Sequence, residues 1–233
     1  MREKLSYFLY NRNKKRTRKF RKKIKRELRN KRNRNKKLIQ KYPWLRVVDY
    51  RCWSHSDDPI FFTDPVFISL WEDIPDGWIK AFGYMMCNEI EKTLEKDNIQ
   101  NKVYIEQAKE KYGQLRIYMV GSHEVQEIID IYSAISEHVC CRCGKPHVPM
   151  MNFSWISPYC SKCFYKLQKR NKNFYKGAYE DYAPKDKEKW KIPNELRWTR
   201  FSKEGNETYT IDISERIHNI ERLWNKKYPE DMV

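Results

Sequence analysis

The sequence predicts an α+β fold: a small α/β body of hairpins and helices, a four-cysteine unit, and a basic N-terminal arm. Three observations predict it. Residues 102–109 with 114–120, and 196–202 with 207–213, alternate apolar and polar side chains around a glycine-containing turn, and a period of two marks strands. Residues 78–96, 123–137 and 214–227 repeat apolar residues three and four apart, the period of a helix with one buried face. Four of the 7 cysteines form two Cys-x-x-Cys pairs, Cys140/Cys143 and Cys160/Cys163.

In chain order, residues 1–41 are the arm, disordered or helical; 42–137 the body; 138–170 the cysteine unit; 171–195 a linker; and 196–233 a C-terminal hairpin and helix. In the arm, Phe20, Ile24 and Leu28 fall four apart, a narrow apolar line along a helix that self-repulsion keeps largely unfolded until a polyanion binds. The body starts at Tyr42-Pro43-Trp44-Leu45. Residues 49–77, rich in Pro, Asp and aromatics, read as irregular chain or short strands. The 78–96 helix carries the stripe Phe82, Met85, Met86, Ile90 and Leu94. The first hairpin turns at Lys111-Tyr112-Gly113. Ser122 is placed to cap the 123–137 helix, whose face is Val125, Ile128, Ile129, Tyr132 and Ile135. Residues 171–195 read as extended linker. The second hairpin turns at Gly205-Asn206, and the last helix presents Ile217, Ile220 and Trp224.

The cysteines read C-x2-C-x16-C-x2-C. Two intervening residues let both thiolates turn inward from one knuckle, and the longer loop brings the second knuckle opposite the first. A tetrahedral four-sulfur site for Zn²⁺ results, as in a zinc ribbon. Gly144 follows the first knuckle, where the chain needs positive φ. The competing reading is redox dithiols, but such a motif usually occurs singly between a strand and a helix. Cys52, Cys87 and Cys141 stay unpaired, and an unframed thiol set fits a reducing cytoplasm. The short run Leu5 to Tyr10 is too aromatic for a signal peptide, and no stretch approaches the roughly 20 apolar residues of a membrane helix.

Charge is unevenly placed. Residues 1–46 hold 21 Lys/Arg against Glu3 and Glu27, while the rest hold 27 Lys/Arg against 29 Asp/Glu. A nearly neutral body thus carries a polycation. Dense cationic segments bind phosphate backbones by counterion release, so Arg16, Arg18, Lys19, Arg21, Lys22, Lys23, Lys25 and Arg26 are candidate DNA or RNA contacts; the rival reading is a solvated tail. Lys109, Lys111 and Arg116 flank the first hairpin turn beside Tyr112 and Tyr118. They suit a phosphate or a stacked base, or equally a sheet face paired with neighbouring acids such as Glu106 or Glu110.

Several segments resemble a family of uncharacterised proteins from phages and Gram-positive bacteria. They are Tyr42-Pro43-Trp44-Leu45, Ile74-Pro75-Asp76-Gly77-Trp78, Phe82-Gly83-Tyr84-Met85-Met86-Cys87, Lys109-Glu110-Lys111-Tyr112-Gly113-Gln114-Leu115-Arg116, Cys140-x-x-Cys143-Gly144-Lys145-Pro146, and Trp155-Ile156-Ser157-Pro158 before Cys160. The resemblance spans residues 42–165 and implies a zinc-knuckle α/β domain of phage or mobile-element origin. It implies no activity. The long basic arm and the tail beyond residue 170 depart from the family pattern.

Catalytic motifs are sparse. With 7 glycines, the chain has no G-x-G-x-x-G, G-x-x-x-x-G-K or G-x-S-x-G, so nucleotide-binding loops and the serine-hydrolase elbow are missing. His123-Glu124-x-x-Glu127 lacks the second histidine of a zincin and reads as a solvated helix start. His55-Ser56-Asp57-Asp58 reads as a turn rather than a ligand cluster. The expected function is a non-enzymatic, zinc-stabilised, nucleic-acid-binding accessory protein. Two alternatives stand beside it. One is a phage inhibitor or adaptor that binds a host protein. The other is a metal-dependent nuclease, which needs a His with Asn or His after the first knuckle, where His147 stands alone.

Overall fold

A computed structural model describes residues 18–49, 60–100, 102–153, 155–171, 176–202 and 205–229. Arg16, Cys52 and the His55–Asp58 cluster lie outside these residues, as do residues 50–59 of the expected irregular segment 49–77. Among the described residues the fold is mixed α+β, with helices around three separate two-stranded antiparallel sheets.

Helix α1, Arg18–Lys41, contains no proline or glycine to stop it. Its inward line runs Ile24, Leu28, Lys31, Asn35, Leu38, then Tyr42, at helical spacing and with increasing burial. Leu38 and Tyr42 enter the main core and Asn35 is fully buried, donating to the Val66 carbonyl at 3.2 Å. The second half of the helix offsets its own repulsion with outside acids: Lys31 and Arg34 meet Glu72 at 2.8 and 2.6 Å, and Arg32 meets Asp64 at 2.9 Å. The folded body therefore begins inside the expected arm, about two turns before Tyr42.

A 3-10 turn, Pro43–Leu45, buries Trp44 and Leu45. A helical turn at Asp76–Trp78 leads through a π-helical stretch, Ile79–Gly83, into α2, Tyr84–Asp97. The expected stripe is inward: Phe82, Met86, Ile90 and Leu94 are buried, with Met85 packed at the edge. Strands β1, Tyr104–Lys111, and β2, Gln114–Val120, pair antiparallel around Tyr112 and Gly113, both at positive φ, the twist that two-residue hairpins favour. Their inner face packs on α3, His123–Ser136. Ser122 takes the cap position, but its hydroxyl makes no capping bond. Phe82, in the π-helical stretch, and Tyr132 of α3 stack at 5.4 Å.

The cysteine unit follows: β3, Met150–Asn152; β4, Ile156–Pro158; and α4, Ser161–Arg170. The expected linker does not run extended. Helical turn α5, Tyr179–Tyr182, and a 3-10 turn, Lys187–Trp190, fold back onto the unit. Tyr179 joins Met151 and Phe164 in a second apolar cluster with Trp190 at its edge, and Ile192 reaches the main core. Strands β5, Glu195–Ser202, and β6, Gly205–Asp212, form the second hairpin. Helix α6, Ser214–Lys227, then sends Ile217 and Ile220 into the main core. The C-terminal part thus shares the body's core through Ile192, Ile213, Ile217 and Ile220. Among the described residues, no helix is long and apolar enough to cross a membrane.

Candidate metal centre and cationic surfaces

The four paired cysteines converge. The sulfurs of Cys140, Cys143, Cys160 and Cys163 all lie within 4.8 Å of one another, and Cys143 and Cys160 are 3.6 Å apart. Each knuckle has its own backbone device. In the first, the Gly144 amide donates to the Cys140 carbonyl at 2.9 Å and the Cys140 amide to the Lys145 carbonyl at 2.8 Å. Gly144 sits at φ 89°, as the sequence requires. In the second, Cys160 caps α4 and accepts from the Cys163 and Phe164 amides at 3.1 and 2.9 Å. The thiols of Cys143, Cys160 and Cys163 converge on Cys140 and draw its pKa below the usual thiol range, while Cys140 pushes each of theirs above it. The four sulfurs thus titrate as one cluster, and they lie close enough together to bind a metal ion. Among the described residues no other His, Cys, Asp or Glu group is so arranged.

Cys141, between the first pair, turns away into the main core, and burial pushes its thiol up to about 12. His147 is engaged in structural contacts. Its Nδ1 accepts the Ile192 amide at 3.1 Å, which puts the ring proton on Nε2, donated to Glu221 at 2.7 Å. One imidazole thereby ties the cysteine unit to the chain before β5 and to α6. His138 is drawn below the usual imidazole range, first by burial.

The hairpin places its cations together. Lys109 pairs across the sheet with Arg116, and Gln107 with Tyr118. Since side chains alternate along each strand, Lys109, Lys111, Arg116 and Tyr118 share one face. Arg116 and Tyr118 are exposed. Lys109 Nζ lies 5.5 Å from the Tyr118 ring and 2.5 Å from Gln107 Oε1. Glu110, a proposed partner for Arg116, is engaged on the other face, accepting from the Gly113 amide at 2.6 Å and from Trp155 Nε1 at 3.2 Å.

Of the arm cations, Lys22, Lys25 and Arg26 are exposed and, with Arg29, make no ion pair among the described residues; Lys23 pairs with Glu27 at 3.9 Å. Arg21 is exposed too, and Arg18 and Lys19 begin the helix. Sequence pattern alone does not single out Lys145, Lys162, Lys166, Trp224 and Tyr228, which gather beside the cysteine quartet. Their only sequence signal is the four-residue spacing of Lys162/Lys166 and of Trp224/Tyr228.

Comparison of the chain with protein-family models, with curated proteins and with solved structures finds no match to any of them.

Proposed function

We propose that this chain is a zinc-stabilised, non-enzymatic nucleic-acid-binding accessory protein of phage or mobile-element origin, acting in the cytoplasm of a host cell. The observation that carries the reading is α1. Its 24 residues hold 14 Lys or Arg against Glu27 alone. At 1.5 Å per residue the helix is about 36 Å long, and among the described residues its ion pairs with acids outside the helix come from Lys31, Arg32 and Arg34. In the first half Lys22, Lys25, Arg26 and Arg29 are exposed and make no ion pair among the described residues, a cationic stretch on an anchored base, suited to a run of backbone phosphates. Zinc is the metal that fits best. A tetrahedron with zinc–sulfur bonds of about 2.3 Å has edges near 3.8 Å, close to the 3.6 Å between Cys143 and Cys160, and four thiolates suit a closed structural site. The motif order from Tyr42 to Cys163 supports a mobile-element origin.

A second reading, a phage adaptor or inhibitor for a host protein, is favoured by the hairpin face, where exposed Tyr112 and Tyr118 stand beside cations. Interface cores are enriched in Tyr and Arg.

The test is a tagged pull-down from cells, scored for nucleic acid and for protein with and without nuclease, together with elemental analysis. Co-purifying nucleic acid and one zinc per chain are expected. Retention of a protein partner after nuclease, with no nucleic acid before it, transfers the function to the second reading.

A further inference from the structure

Two cavities flank Trp224, of about 370 and 290 Å³, and Cys143 and Trp224 line both. The larger contains Asp76 as well as Arg34 and Lys80, and Arg34 is already paired with Glu72. The smaller opens onto the cysteine quartet, with Cys143, Cys160 and Cys163 in its lining and no acid. Lys145, Lys162 and Lys166 border it, with the rings of Trp224 and Tyr228 opposite. Lys162 and Lys166 are exposed on successive turns of α4, and Lys145 is half-buried. None of the three makes an ion pair among the described residues. The two rings lie 4.3 Å apart at a 36° tilt, with Lys227 Nζ 5.3 Å from the Tyr228 ring.

A tetrathiolate zinc carries about two negative charges, and neighbouring lysines would offset it. That accounts for the cations. It does not account for two aromatic rings at the same opening. Lysines around a stacking platform are the elements that hold single strands: phosphates meet the cations while a base lies on a ring. A cavity of about 290 Å³ lies near the small end of ligand sites and admits one unpaired nucleotide but not a base pair within a duplex.

We propose that the cleft between α4 and α6 binds an unpaired nucleotide of single-stranded nucleic acid, its base on the Trp224/Tyr228 pair and its phosphates on Lys145, Lys162 and Lys166. The proposal rests on the nucleic-acid reading above and adds to it a preference for unpaired strands. α1 supplies affinity for any phosphate backbone, and the cleft selects strands with a free base.

The test uses the full chain loaded with zinc. Binding to short oligo-dT, short oligo-U and a duplex of mixed sequence is measured by fluorescence anisotropy for four proteins: wild type, Trp224→Leu, Lys162→Gln/Lys166→Gln, and Lys22→Gln/Lys25→Gln/Arg26→Gln/Arg29→Gln. The lysine pair is exposed, so that variant keeps the fold even where Trp224→Leu loses stability. Trp224→Leu and the lysine pair should each weaken binding of a single strand about tenfold and leave the duplex within about twofold. The lysine pair should also lower the salt slope on single strands by about 1.4, or 0.7 per phosphate. The arm variant should weaken both forms. Photocrosslinking of halogenated oligo-dT should label the peptide bearing Trp224 and Tyr228.

If both cleft variants bind single strands as wild type does while the arm variant fails, the cleft site is overturned and the general reading survives. If wild type binds none of the probes, both fall. If the lysine pair loses zinc to a chelator faster and keeps its oligo-dT affinity, the lysines serve only to neutralise the metal centre, and the cleft proposal fails. If poly-glutamate competes as well as oligo-dT and no crosslink forms, the cleft takes an acidic peptide, and the proposal fails.

Discussion

The amide of Gly77 donates to the carbonyl of Cys141 at 3.0 Å, so the start of the long helical segment is moulded directly against the first metal knuckle. No room remains there: a Cβ on Gly77 would lie 2.2 Å from the Cys140 carbonyl oxygen and 2.6 Å from the Cys141 carbonyl carbon. Trp78 follows, fully buried, with Nε1 donating to the Val139 carbonyl at 2.8 Å. The Ile74-Pro75-Asp76-Gly77-Trp78 and Cys140-x-x-Cys143-Gly144 motifs are two halves of one contact. Gly77→Ala should therefore cost about 1–3 kcal/mol, the usual range for overpacking, towards the upper end because the opposing atoms are backbone. The loss should appear as a lower melting temperature and faster loss of zinc to a chelator. Unchanged values for both would show that the knuckle moves freely away from the helix.

Cys143→Ser removes one of four converging sulfurs. Structural zinc contributes on the order of 10 kcal/mol of apparent binding free energy in small modules, so this variant should lose metal and unfold at least residues 138–165, read as lost amide protection in hydrogen exchange. Cys141→Ser should keep one zinc per chain, because its sulfur lies in the core rather than in the quartet. Equal metal loss in the two variants would contradict that ligand set.

Elements with a sustained local period could be read from the sequence. The hairpins, the α2 and α3 stripes and α6 carry their buried face in consecutive turns or alternate residues, so local pattern and tertiary packing agree. The metal quartet was legible because its spacing is itself a geometric device. The anchoring of α1 was not: its buried line runs through Lys31 and Asn35, which are polar, and only Leu38 is both apolar and buried. Nor was the folding of 179–192, where Tyr179 and Ile192 are buried and Trp190 half-buried, with no period to mark them. The platform beside the zinc site joins Lys162 and Lys166 to Trp224 and Tyr228 across about sixty positions, a separation at which no local pattern operates.

The anchoring of α1 has a pH signature. Arg32 grips both carboxylate oxygens of Asp64, at 3.2 and 2.9 Å, and the Val66 amide adds a bond at 3.0 Å. The guanidinium beside it holds the Asp64 carboxyl below the usual range. A depressed carboxylate pKa stabilises the fold above the unfolded value, about 3.9, and that contribution disappears as pH falls through the lower folded value. Because the pair is solvent-exposed, the effect should be small. Asp64→Asn should lower the melting temperature slightly at neutral pH, and the gap from wild type should close in acid, once pH has fallen through the lowered folded value. A gap that persists in acid would place the contribution in the Val66 turn rather than in the ion pair.

The rod and the anchor of α1 respond to different perturbations. Deleting residues 1–41 would remove Leu38 and Asn35 from the fold as well as the cations, so affinity and stability would fall together. Neutralising Lys22, Lys25, Arg26 and Arg29 leaves the anchor intact. Nucleic-acid affinity should drop, and the dependence of log K on log salt should flatten by about 0.9 for each duplex phosphate no longer neutralised, with an unchanged melting temperature. Each single substitution should do little. An unchanged salt slope in the quadruple variant would reduce the rod to a solvated tail.

Arg116 decides what the hairpin face is for. It stands opposite Lys109, on the side that carries Tyr118, and it is exposed, while Glu110 is held by Gly113 and Trp155 on the reverse side. Removing its charge abandons no buried acid at Glu110. Arg116→Met keeps most of the stem, which covers apolar surface as the native side chain does. The melting temperature should stay close to wild type, because substitutions on exposed surface usually change stability by less than about 0.5 kcal/mol. If the face receives a phosphate or a partner carboxylate, the same variant should weaken that binding, since hydrogen bonds to an ionised group are worth about 1.5–3 kcal/mol. Calorimetry on the purified variant and a pull-down with it as bait separate the two effects. A large loss of stability with undiminished capture would make Arg116 a scaffold residue, and the cationic face would then owe its arrangement to the strand period alone.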